Sequence, residues 1–428
     1  PEPTTQVYGS TLINNTFAPA VESYGSTLIN SNIIPNDPRQ IGQSIVGEAQ
    51  NDFSGAVTSM NQDGDIVAIA APGNDGGGDL SGHVRVYQYI NNTWTQLGGD
   101  IDGEAELDES SMRIELNQSG DTVAIGARMN DGASGVNSGH VRVYRYINNT
   151  WTQLGQDIDG VNANDLFGWG VSINGAGNRV AVSAKGDYNN DNITTNDGDG
   201  YVKVFSYNSS TNTWTQLGQV LTGLYNGDQF GYDLSMDQSG DRVAIAAVNI
   251  GASNLNENRA GNTRVYEYSL ATSTWTQLGS DIIGENFGDY SGLYEGVDIN
   301  AAGTMVVIGA PGNDGAAGAA GHIRVYDYSS NTGWSQVGGD IDGKAAGDQF
   351  GAVVSMNDAG YTIAGAAYSN GGSNVKQVRV FSYSGGTWTQ VGSDFNNYGQ
   401  GISMNGLGDR ISIGDGATGR GVTRVFET

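Results

Sequence analysis

Trp94-Thr95-Gln96-Leu97-Gly98 decides the fold, because it returns at a spacing of about sixty residues. The copies are Trp151 to Gly155, Trp214 to Gly218 and Trp275 to Gly279, then the looser Trp334 to Gly338 and Trp388 to Gly392. A repeat of this length built from short alternating strands predicts an array of small sheets. Residue types that recur in every unit are structural, so activity belongs where units differ.

Outward from the tryptophan phrase, each unit reads as four strands. The first ends in a turn, as in Val57-Thr58-Ser59-Met60-Asn61 or Val171-Ser172-Ile173-Asn174. The second, such as Ile66-Val67-Ala68-Ile69-Ala70, is apolar on both faces, which predicts burial between neighbouring sheets. The third alternates, as in Val84-Arg85-Val86-Tyr87-Gln88-Tyr89, which predicts one polar face and a place nearer the rim. The tryptophan phrase is then the outermost strand.

Second and third strands each occur seven times, but only six tryptophan strands follow their own third strand. The seventh stands at the opposite end of the chain. Arg39 to Gly47 aligns with Thr95 to Gly103, with Pro38 at the tryptophan position. The fold class is therefore all-β: a seven-bladed β-propeller of four-stranded antiparallel blades, closed by an N-terminal strand completing the last blade. Gln40, Ile41, Gly42, Ile45 and Val46 carry that closure. Two segments result, an extended N-terminal arm over residues 1–35 and the propeller over 36–428.

Composition agrees with many tight hairpins: Gly 67 against Pro 7. A formal net charge of −27 argues against nucleic acid and anionic membranes as partners, since both select basic surfaces. No apolar run is long enough for membrane insertion, and with Cys 0 there is no thiol chemistry. The chain begins at Pro1 rather than methionine, and the expectation is an exported, extracellular protein.

Phe167-Gly168, Phe230-Gly231 and Phe350-Gly351 open blades, while Ala71-Pro72-Gly73 and Ala310-Pro311-Gly312 close second strands. In these motifs the chain resembles the FG-GAP repeats of integrin α-subunit-type propellers over nearly all of 36–428. Ser54-Gly55 replaces the dipeptide in the first blade. The resemblance implies an extracellular propeller used for adhesion or ligand binding. It also implies calcium between the first two strands, but turns such as Asn61-Gln62-Asp63-Gly64-Asp65 carry too few carboxylates for that ion. Asp187, Asn189 and Asp191 form the one candidate calcium loop, and no other cofactor is expected.

No catalytic constellation stands out, and the expectation is a non-enzymatic protein. His83, His140 and His322 share one repeat position, read here as a tolerated surface site at a strand start. The arm holds a duplicated heptad, Tyr8 to Asn14 and Tyr24 to Asn30. Read as extended strands, the copies present Tyr8, Leu12, Ile13, Tyr24, Leu28 and Ile29 for β-strand addition to neighbouring subunits. The first functional expectation is a structural subunit that self-assembles into a filament, sheath or tube, a homo-oligomer or homopolymer. The alternative is an adhesin or lectin-like propeller that binds a glycan or cell-surface protein.

Overall fold

The computed structural model describes residues 23–24, 27–28, 38–185, 199–224, 227–248, 259–368, 376–396, 399–416 and 419–428. Contacts divide the chain into two units, Pro1–Asp37 and Pro38–Thr428. In the first, Ser23–Tyr24 pairs antiparallel with Thr27–Leu28. The second heptad therefore turns back on itself, and the expected single extended strand across Tyr24 and Leu28 is corrected.

The second unit is a ring of seven antiparallel sheets. In blade 1 the order from the centre outward is Thr58–Met60, Ile66–Ala71, His83–Ile90 and Thr93–Gln96. Blades 2 to 6 repeat this from Arg113, Val171, Phe230, Val297 and Phe350. Blade 7 takes three strands from residues 401–427 and its outer strand, Arg39–Val46, from the start of the unit. Gln40, Ile41, Ile45 and Val46 pair with Phe426, Val425, Thr423 and Val422, so the expected closure is present. Second strands are buried on both faces throughout, as their composition predicts.

The recurring phrase is a joint between blades. Gly42, Gly98, Gly155, Gly218, Gly279 and Gly338 adopt positive φ, and each lies beneath the next blade's tryptophan. The indole N–H then donates back to the preceding blade, as from Trp151 to Leu97 O at 2.7 Å and Trp214 to Leu154 O at 2.8 Å. Tryptophan and glycine thus co-occur because each serves its neighbour's copy of the other. A Cβ at Gly218 would sit 2.6 Å from Trp275 Cδ1 at φ 77°. Gly218→Ala is expected to cost about 2 kcal/mol, measured by denaturant unfolding. An unchanged midpoint would remove this account of the motif.

At the same glycine the outer strand bends. A short fifth segment, such as Ile101–Asp102, continues its pairing with the start of the third strand. The turns between first and second strands are side-chain capped. Asn61 Oδ1 accepts from Asp65 N at 3.1 Å and Ile66 N at 2.9 Å, and Asn117, Asn174, Asp237, Asn300, Asn357 and Asn405 cap their own turns. These oxygens are spent on the backbone, which accounts for hairpins at this place.

The third strand differs from its expected half-exposed state. Its first half is buried on both faces, because the blades pack face to face there, and only its outer half reaches water. His83, His140 and His322 are 1%, 1% and 3% exposed, not surface residues. The recurring basic residue ties blades together, as where Arg142 Nη2 donates to Asp102 O at 3.0 Å and Arg379 Nη2 to Asp342 O at 2.8 Å.

Candidate functional site

The inner strands surround a central channel of about 230 Å³. A belt of side-chain acceptors links each blade to the next. Ser59 accepts from Leu116 N, Ser172 from Met236 N, Ser235 from Ile299 N, Ser355 from Met404 N and Ser403 from Met60 N. Two blades break the serine pattern. Glu115 Oε2 accepts from Ile173 N at 2.9 Å, and Asp298 Oδ2 accepts from Met356 N at 2.7 Å. These carboxylates keep the belt intact while adding a second oxygen inside the ring.

Two residues up the same strands the repeat breaks again. Val57, Gly170, Gly296, Val353 and Gly401 hold this position in five blades, whereas Arg113 and Asp233 hold it in the others. Arg113 Nη1 donates to Glu295 Oε1 at 3.0 Å, and Val297 N donates to Asp233 Oδ2 at 2.9 Å. The Arg113 Nε–H is buried without a partner among the described residues. Every group in this cluster departs from its blade-to-blade equivalent, so no structural rule of the propeller requires it.

The electrostatics separate the acids. Burial pushes the Asp233 carboxyl up to about 8, against the pull of Arg113. Burial does the same for Glu115, also to about 8, although hydrogen bonds from Ser172 and Ile173 oppose it. Asp298 rises to about 6, again through burial. Glu295 is raised by burial and lowered by Arg113. Arg113 keeps its charge despite burial, and its guanidinium lies 3.0 Å from Glu295. Near pH 7 the site therefore presents a neutral acid, Asp233, beside Glu295, which accepts a hydrogen bond from Arg113.

Aromatic and basic side chains gather around the cluster. Trp169 and Tyr232 pack edge to face at 5.6 Å, and Tyr294 and Tyr368 at 4.9 Å. Tyr232 and Tyr368 lie close enough to Arg113 to feel its charge. Lys185 Nζ stands 4.2 Å from the Trp169 ring centre and 4.8 Å from that of Tyr232, with Arg128 on the same indole at 4.6 Å. Arg128 pairs with Glu109 at 2.9 Å, while no carboxylate among the described residues pairs with Lys185. At the opposite end, hairpin backbones bond directly between blades, as from Gly406 N to Gln62 O at 2.9 Å. Gln62 Nε2 donates to Asp358 Oδ2 at 2.7 Å at that end.

The residues singled out in the sequence lie elsewhere. Asp187, Asn189 and Asp191 fall outside the described residues, as do Tyr8, Leu12, Ile13 and Ile29. Gln40, Ile41, Gly42, Ile45 and Val46 are together in the closing strand, away from the channel lining. The channel cluster itself was missed. Its signal is the replacement of serine at positions 115 and 298, visible once the first strands are laid in register.

No protein-family model matches the chain, and no curated protein matches it. Among solved structures the chain is similar to a propeller from Bacteroides uniformis that is provisionally named a 6-phosphogluconolactonase. The match has a TM-score of 0.50 at 10% identity, covering 80% of this chain and 85% of that one. At that identity the likeness shows the fold alone, a β-propeller. It corrects two expectations nonetheless. The matched propeller carries the name of an enzyme, which speaks against the expectations of a non-enzymatic protein and of a self-assembling subunit, and both are set aside.

Proposed function

We propose that the end of the channel that carries Arg113, Asp233 and Glu295 is the active site of an enzyme that performs acid–base chemistry on a small anionic, polar substrate. The observation that carries this reading is the Arg113, Asp233 and Glu295 cluster, where a neutral carboxyl and a second carboxyl bonded to Arg113 face one guanidinium. Asp233 supplies the proton, and Glu295 accepts one or positions water. Arg113 Nε and Lys185 offer N–H donors to a phosphate or carboxylate, and Trp169 with Tyr232 supplies a flat apolar wall. A net charge of −27 makes this local basic group the place where an anion would be drawn in. Phosphorylated sugar lactones are the first substrates to assay, because the matched propeller is named for that chemistry.

The test is hydrolysis of sugar lactones and sugar-phosphate lactones, followed by proton release at constant pH. Asp233→Asn is expected to lower kcat by roughly 100-fold or more, the usual scale for losing a general acid. Lys185→Ala is expected to raise KM with kcat nearly unchanged. Wild-type turnover in Asp233→Asn, or no turnover and no binding of these anions by the native chain, would overturn the assignment.

We also infer that the blades are of the FG-GAP type. Phe167, Phe230 and Phe350 are fully buried, and the glycines that follow have φ of 93°, 85° and 91°. The dipeptide thus plugs the blade junction with an aromatic ring and turns the chain where a side chain would be strained.

A further inference from the structure

The three histidines of the chain occupy one repeat position, and the glutamates nearest them obey a rule of their own. Aligned on the outer strand, the residue after the closing glycine is Glu48, Glu104 and Glu285 ahead of the blades that carry His83, His140 and His322. Ahead of the blades that carry Tyr201, Asn262 and Gln377 it is Val161, Leu224 and Lys344. Glutamate thus appears where histidine follows and is absent from these other blades. The recurring basic residue of the third strand is present in all of them, so pairing with it does not account for the restriction.

In blades without histidine the buried polar group meets its carboxylate directly. Tyr201 Oη donates to Asp165 Oδ2 at 2.8 Å, and Gln377 Nε2 to Asp394 Oδ2 at 2.7 Å. In blade 1 the contact fails to close. His83 Nδ1 faces Glu48 Oε2 at 4.0 Å, Asp100 Oδ2 at 3.9 Å and Asp102 Oδ1 at 3.9 Å. His140 Nδ1 faces Glu104 Oε2 and Asp157 Oδ2, both at 3.9 Å. His83 is 1% exposed, and both its ring nitrogens lack a hydrogen-bond partner among the described residues. A buried imidazole ringed by oxygens just beyond hydrogen-bond reach costs free energy unless something bridges the gap. Ligand atoms around a divalent ion at about 2.1 Å stand roughly 3–4 Å apart, which is this spacing.

We propose that Glu48, His83 and Asp100, and equivalently Glu104, His140 and Asp157, each bind a divalent first-row transition-metal ion of the zinc class. One nitrogen with carboxylate oxygens suits such an ion better than calcium, which takes oxygen alone. Charge agrees: Glu48, Asp100 and Asp102 outweigh the nearby Arg85, which lies 3.4 Å from the other Glu48 oxygen. The imidazoles are held neutral by burial, the ligand form. Glu285, His322 and Asp340 repeat the arrangement, but there Arg324 already contacts both carboxylates, reaching Asp340 Oδ2 at 2.8 Å, and it competes with the metal. Glu48 follows the closing strand of blade 7 while His83 and Asp100 belong to blade 1, so this ion pins the closure of the ring.

The test is equilibrium dialysis of the full chain against Zn²⁺ and Co²⁺, with the Co²⁺ visible spectrum and melting temperature as further readouts. Two tight equivalents, a cobalt d–d band and a melting temperature that rises with metal and falls with chelator are expected. His83→Gln and His140→Gln should each remove one equivalent; glutamine fills this position naturally in blade 6. Glu48→Gln changes an exposed residue and should also remove one, which keeps the test valid if a histidine variant folds poorly. No Zn²⁺ or Co²⁺ binding, retention of both equivalents in the His83→Gln, His140→Gln double variant, or equal preference for Ca²⁺ would overturn the proposal.

Discussion

Removing residues 1–47 is expected to lower the melting temperature by roughly 10 °C relative to removing 1–37. The closing strand buries Ile41 and Ile45, at 3% and 5% exposure, against Val425 and Trp94. Two such side chains contribute on the order of 5 kcal/mol by area alone. Further losses follow, because the deletion strips five paired residues from the edge of blade 7. It also strips Trp94 of its acceptor at Ile41 O, 3.0 Å away, and of the Gln43 side chain that bonds its backbone. A net stability of about 5–15 kcal/mol is typical of folded domains, so a loss this size approaches the whole. Scanning calorimetry of the two truncations decides the matter. Equal melting temperatures for residues 38–428 and 48–428 would mean the strand is an ornament on a ring closed by other contacts.

This closure was legible because it follows from counting. Arg39 to Gly47 repeats Thr95 to Gly103, and an antiparallel ring with one unpaired third strand has only one place for it. The burial of the histidines was not legible by the same logic. Alternation along Val84-Arg85-Val86-Tyr87 marks two chemically different faces, but both are covered when the next blade packs against the polar one. Arg85 and Arg142, 7% and 6% exposed, show the same effect. The channel cluster was hidden for a different reason. Arg113 and Glu295 are separated by 182 positions, and only the ring geometry makes them neighbours. Reading Val57-Thr58-Ser59 as the typical first strand concealed that Arg113-Ile114-Glu115 stands in its register with two charges.

Those charges make stability depend on pH in a direction set by their shifts. Glu115 and Asp233 have carboxyl groups raised to about 8, above the unfolded values near 4.5 and 3.8. A group raised in the folded state binds its proton more tightly there. Its stabilisation is complete below the unfolded pKa and is lost as pH climbs towards the folded one. The histidines act oppositely. His83, His140 and His322 are depressed from 6.5, so they stabilise above that value and lose their contribution as pH falls. From pH 6.5 to 8.5 the imidazoles lose only the last part of their unfolded-state protonation, a smaller effect of opposite sign, while the carboxyls still titrate. Each carboxyl then forfeits ~2 kcal/mol, and the melting temperature is expected to drop by roughly 5 °C. Glu115→Ser restores the belt residue used in five other blades, keeps an acceptor for Ile173 N, and should remove about half of that drop. Asp233→Asn should remove much of the rest. A native chain whose melting temperature is level across this window, or a Glu115→Ser variant that keeps the full slope, would show that the channel acids are solvated rather than held neutral by burial. The same result would take away the neutral proton donor on which the proposed chemistry depends.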